Sequence, residues 1–124
     1  MRWFESSRPS VMQRTLDAVL DAFQRGDLDD ALPWFSQTCV YREPRGESIV
    51  GRDALAAHWA AFAASGARWR FSVDRVIAGD DAACIVHRFA MPEGDGTAWR
   101  ERAGCAVVRF DARGFIEEWR EYDG

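Results

Sequence analysis

The 124-residue chain contains no lysine and no asparagine, and its sixteen basic residues are all arginine. The missing lysine excludes Schiff-base chemistry and any side-chain amine nucleophile. So uniform a use of arginine reads as coding bias, and arginine density alone says little about partners. Cysteine is scarce: Cys39, Cys84 and Cys105 form no CxxC pair and leave one thiol over in any disulfide scheme. Each lies in an apolar strand-like run, which points to buried, reduced thiols and a cytoplasmic protein. No window approaches the roughly 20 apolar residues of a membrane span. The opening MRWFESSRPS has no long apolar stretch of the secretory kind. The net charge of −4 argues against nucleic acid, which needs a concentrated basic surface.

Motifs for bound groups are equally scarce. PEGDG joins two strand-like runs and precedes no helix, so it is a hairpin turn and not a phosphate cradle. His58 and His87 lie on different segments without ligand spacing, so no metal site is expected. No serine elbow is present. What is left is chemistry without a cofactor.

Apolar and aromatic residues are plentiful, at 48% and 13%, with six Trp and eight Phe. One domain spanning 1–124, with 1–9 as a flexible lead, can bury a single large core or enclose a cavity. SVMQRTLDAVLDAFQRG reads as a helix. Ser10 and Gln13 have capping-box spacing, Gly26 sits at the C-terminal cap, and Met12, Leu16, Val19 and Phe23 make one face. DLDDALPWF reads as a short helix capped by Asp27 and broken at Pro33, followed by the strand TCVYRE. GRDALAAHWAAFAASG is a third helix with Leu55, Trp59 and Phe62 on one side. Beyond Gly66 the period changes to two. Four long runs separated by tight turns predict an antiparallel meander. The expected fold class is α+β, with three helices on a strongly curved, mostly antiparallel sheet around a pocket.

Glu43 ends the first strand immediately before Pro44, which holds it extended. It is either a turn residue paired with a neighbouring arginine or a carboxylate aimed into the pocket, where desolvation would raise its pKa. His87 alternates with Ile85, Phe89 and Met91 on the strand face that lacks arginine, and so points inward. There it is a core histidine bonded to a neighbour or a donor to a substrate oxygen. Trp34 and Tyr41 are candidate pocket wall, and His58 borders the apolar face of its helix beside Trp59.

The order of GDLDDALPWF, a strand ending before Pro44, VGRDALAAHW and a last strand IEEWREY resembles the nuclear transport factor two-like superfamily. Within it the chain is similar to SnoaL-like polyketide cyclases and ketosteroid isomerases. The resemblance covers about Ser10 to Tyr122. It implies a cone-shaped α+β barrel with a deep pocket, a homodimer, and Glu43 in the place of the isomerases' general base. It implies an apolar small-molecule ligand, with Trp34, Tyr41, His58, Trp59, Phe89 and Trp119 around it. Trp119 then points inward and carries Glu117 and Glu121 with it by strand parity. The isomerases' oxyanion donors are replaced by Val19 and Ala106, which argues against that reaction. Asp123 falls near the aspartate of the cyclases. Arg102 could reach inward, with Gly104 as a bulge able to flip the register. The arginine and aspartate that epoxide hydrolases of this branch place two apart become Arg102 and Gly104.

Two functions follow. One is a cofactor-independent enzyme using Glu43 and His87 for proton transfer in isomerisation, cyclisation or dehydration. The other is a non-catalytic ligand-binding or dimerisation module of the same fold.

Overall fold

The computed structural model describes residues 10–124, so the lead segment 1–9 lies outside the described residues. Helix α1 spans Val11–Gln24, α2 Leu28–Ala31, and a single 3-10 turn Leu32–Trp34 leads into β1, Phe35–Arg42. A two-residue strand β2, Ile49–Val50, precedes α3, Arg52–Ala64. The strands β3 (Arg70–Ala78), β4 (Ala82–Glu93), β5 (Ala98–Phe110) and β6 (Ile116–Asp123) complete the chain.

The helix ends obey local chemistry. Ser10 Oγ accepts from the Gln13 N–H while Gln13 Oε1 accepts from the Ser10 N–H, at 3.1 and 2.8 Å. At the far end Gly26 takes φ 74°, which a residue with a Cβ adopts only with strain. Asp27 caps α2 through the Asp30 N–H, and Pro33 converts its end into the 3-10 turn. Leu16, Val19, Leu20 and Phe23 bury the inner face of α1, and Leu55 and Trp59 that of α3.

The sheet is six-stranded and open, in the order β2-β1-β6-β5-β4-β3. The meander β3 to β6 is antiparallel as the tight turns require. Two features were not legible in advance. β1 runs parallel to β6, with Tyr41 beside Trp119, and β2 forms a short hairpin on the outer side of β1. Together with the three helices the curved sheet makes a cone whose closed end is an aromatic knot. Phe23 meets Trp119 edge to face at 5.3 Å, and Phe35 meets Trp59 at 5.4 Å.

Gly104 is not a bulge. It pairs in unbroken register with His87 on one side and Asp123 on the other, and the irregularities fall at Asp74 and between Arg109 and Phe110. The glycine is there because the neighbouring backbone is too close for a side chain. A Cβ at this position would stand 2.5 Å from the carbonyl oxygen of Tyr122. Gly104→Ala is expected to cost about 2 kcal/mol of stability, read as a lowered urea midpoint at unchanged m-value.

Candidate active site

Helices α1 and α3 and the concave face of the sheet enclose a cavity of about 310 Å³. Seven of its thirteen lining residues are aromatic, among them Phe23, Trp59, Phe71 and Phe89. The polar groups are few: the Tyr41 hydroxyl, Glu43, His58, His87 and Glu121. That balance, a largely apolar wall with a few convergent polar groups, is what a small-molecule site needs.

Four of these groups form one connected set. The Trp119 indole N–H donates to Glu121 Oε2 at 2.8 Å, and the Tyr41 hydroxyl approaches the same oxygen at 3.4 Å. Tyr41 also lies 3.5 Å from Glu43 Oε2, and His58 Nε2 lies 3.3 Å from Glu43 Oε1. The set runs from solvent inward: the Glu43 and His58 side chains are 46% and 37% exposed, whereas Tyr41 is buried. Both protein donors take Oε2 of Glu121. Its Oε1 has no donor among the described residues and is the oxygen left to a ligand.

Electrostatics single out Glu121. Loss of water is the main force on its carboxyl and pushes its pKa up to about 7. The Trp119 bond opposes that rise, and the charge of Glu43 adds to it. The Tyr41 phenol is held well above its ordinary value, first by burial and then by the two carboxylates, so it remains an O–H donor at neutral pH.

Glu43 combines the two readings open to it, a turn residue that also lines the cavity at its rim. It lies just past the end of β1, in a turn closed by the Gly46 N–H on the Glu43 carbonyl at 3.0 Å. Pro44 and Arg45, the latter at φ 58°, give this turn type II geometry. Arg45 reaches Asp123 at 3.2 Å and ties the turn to β6. Glu43 stands at the rim of the cavity in reach of water, and the desolvated carboxylate is Glu121. The signal for Glu121 was strand parity, since Trp119 is fully buried and residues two apart share a face. Glu117 does not follow that parity, because the register shift opposite Arg109 and Phe110 falls on it; it accepts from the Ser36 and Thr38 hydroxyls at 2.8 and 2.9 Å and lies outside the cavity lining.

His87 lines the opposite wall, its ring 5.0 Å from that of Phe71. Both ring nitrogens are shut off from water and have no hydrogen-bond partner among the described residues, so it is not a core histidine satisfied by a neighbour. Burial lowers its pKa and keeps the ring neutral. Tyr41, His58, Trp59 and Phe89 line the cavity as expected. Trp34 does not: it packs against the core beyond the 3-10 turn. Trp119 lies fully in the core and reaches the site only through its bond to Glu121. Arg102 is exposed. Among the described residues no group of three or more His, Cys, Asp or Glu could hold a metal ion, and no helix is long and apolar enough to cross a membrane.

The SnoaL-like domain model matches residues 16–119, and the chain belongs to the SnoaL-like family. No curated protein matches it in sequence. Among solved structures it is similar to an NTF2-like protein of unknown function from Burkholderia pseudomallei. That pair has a TM-score of 0.78 and 17% identity, covering 93% of this chain and 92% of the other. It is also similar to a limonene epoxide hydrolase-like enzyme of Mycobacterium tuberculosis, at TM-score 0.74 and 24% identity over 92% and 83%. A third is SalBIII, an epoxide hydrolase/cyclase-like enzyme of pyran ring formation in salinomycin, at 0.75 and 14% over 91% and 90%. At these identities the likeness establishes the NTF2-like fold.

The two buried titrating groups oppose each other in the pH dependence of stability. Glu121 is raised from 4.5 to about 7, so its contribution is complete below pH 4.5 and lost as pH rises through 7. The loss is of order 3 kcal/mol. His87 is lowered from 6.5, so its contribution is complete above pH 6.5 and lost as pH falls through the folded value. Thermal melts should therefore show slopes of opposite sign in single variants. Glu121→Gln should leave a stability that rises as pH approaches 6.5 from below, and His87→Phe one that falls from pH 4.5 to above 7. His87→Phe should also raise the melting temperature at neutral pH, because it removes two unpartnered buried nitrogens worth about 1–3 kcal/mol.

Proposed function

We propose that this protein is a cofactor-independent acid/base enzyme that moves a proton on an apolar, oxygenated small molecule, in isomerisation, cyclisation or dehydration. The observation that carries the reading is the Glu121 carboxyl, poised near neutrality in an aromatic cavity with no donor to Oε1 among the described residues. A base with its pKa near the working pH combines the right protonation state with useful driving force. Tyr41 and Trp119 hold Glu121 in place, and Glu43 with His58 forms an outer pair through which protons exchange with solvent. His87 supplies the second polar contact: its ring nitrogens have no partner among the described residues, and a ligand oxygen that displaces the side chains covering them gives them one.

Nitrobenzisoxazole tests this directly. It is flat and apolar, and its ring opens when a base removes one C–H proton and the N–O bond breaks to a nitrile and a phenolate. The rate should rise with pH and level off above about 7, following Glu121. Glu121→Gln should lose at least about 100-fold. A Gln variant as fast as the parent would overturn the assignment.

A second reading, a non-catalytic ligand-binding module, is favoured by Val19 and Ala106, which fall where the resemblance to the isomerases puts oxyanion donors. Both are fully buried and neither offers a donor to a developing oxyanion. Binding of the probe without turnover above buffer would select it. Either reading has the chain as a homodimer in the cytoplasm. Support comes from the convex sheet face, where Ile77, Val107 and Tyr122 expose apolar surface. Ile77→Arg should then shift the sedimentation coefficient from dimer to monomer.

A further inference from the structure

The two arginines near the cavity differ from those elsewhere on the sheet. Arg100 pairs directly with Met91 and Arg102 with Phe89 in the β4–β5 ladder. Directly opposed residues of an antiparallel pair send their side chains to the same face. Met91 and Phe89 line the cavity, so both arginines rise from the concave face beside its wall, and both are exposed. Neither holds a carboxylate among the described residues. Two acids flank them on that face: Glu93, opposite Ala98, makes no ion pair among the described residues, and Asp123, opposite Gly104, is taken by Arg45 at 3.2 Å.

On the convex face the pattern is the reverse. Arg88 holds Asp74 and Glu101 at 2.8 and 2.9 Å, and Arg109 and Arg120 both face Glu118. Arg68 and Arg70 lie over the Trp99 ring. Arg42 and Arg75 also lack a carboxylate among the described residues, but Arg42 stands beside Arg120 and Arg75 opposite Val86, both on the convex side away from the cavity. Two guanidinium groups without an ion-pair partner among the described residues, beside an apolar cavity, present the planar fork that matches the oxygens of a carboxylate or phosphate.

We propose that Arg100 and Arg102 form an anion-binding rim, and that the ligand is an amphipathic anion. Its flat apolar body fills the aromatic cavity, and its carboxylate or phosphate is held outside by the two arginines. The inference rests on the proposed function only in taking this cavity as the binding site.

Three naphthyl probes test it by calorimetry on the whole chain at pH 6, where Glu121 carries its proton: naphthylacetate, naphthyl phosphate and the uncharged methyl naphthylacetate. At low salt the parent should bind one or both anions about 10-fold more tightly than the ester, and the more favoured anion identifies the head group. The preference should shrink as salt rises. The Arg100→Gln, Arg102→Gln double variant should bind all three alike, with the ester still bound. A parent that prefers the ester, treats the three alike or binds none overturns the proposal, as does a double variant that keeps the preference. Turnover of the uncharged benzisoxazole reads Glu121 alone, so the two proposals fail separately.

Discussion

The site depends on one seam of the sheet, the parallel pairing of β1 with β6. It sets Tyr41 beside Trp119 and so brings the phenol, the indole and the Glu121 carboxyl to one wall of the cone. Without it the end of β1 and the end of the chain would have no reason to meet. The turn after β1 adds to the seam. Its Arg45, at φ 58°, adopts a backbone that L-residues disfavour, and the contact with Asp123 binds the strained turn to the strand that carries Glu121. Glu43 is thereby kept close enough to raise the pKa of Glu121 while remaining in water itself.

The interior carries electrostatic cost at two places. A carboxyl and an imidazole both sit in an aromatic cavity, each pushed toward its neutral form. The carboxyl is partly compensated by two donors on one oxygen, and the imidazole by none among the described residues. Groups left this way in a well-packed core are a mark of function rather than stability, because an apolar residue of similar volume would be cheaper. The convex side shows the contrast. There the charges neutralise one another across strands, in water, where such pairs contribute little.

Family membership and chemistry separate at this site. The SnoaL-like fold provides the cone, and the residues that fill it differ from those of the isomerases it resembles. Val19 and Ala106 are hydrocarbon packed in the core, and the carboxyl most removed from water is carried by β6. One scaffold can carry the proton-transferring group on different strands, because the cavity, and not the strand, supplies the low dielectric.

Local rules in the sequence determined a good deal. Capping chemistry at Ser10 and Gly26, the break at Pro33 and the change from helical to twofold period after Gly66 set the elements, since each depends on residues within a few positions of one another. Alternation alone turned His87, Phe89 and Met91 inward, and the same parity aligned Glu121 with Trp119. Only the tertiary structure decided which acid is desolvated. Glu43 and Glu121 each stand two residues after an aromatic near a strand end, and the Pro44 that follows Glu43 does not tell which of the two is desolvated. Burial of a carboxyl depends on what the rest of the chain packs around it, here a parallel partner strand and a helix far away in sequence. The same holds for Gly104, which reads locally as a bulge and is instead the point where the Tyr122 backbone comes too close for any side chain.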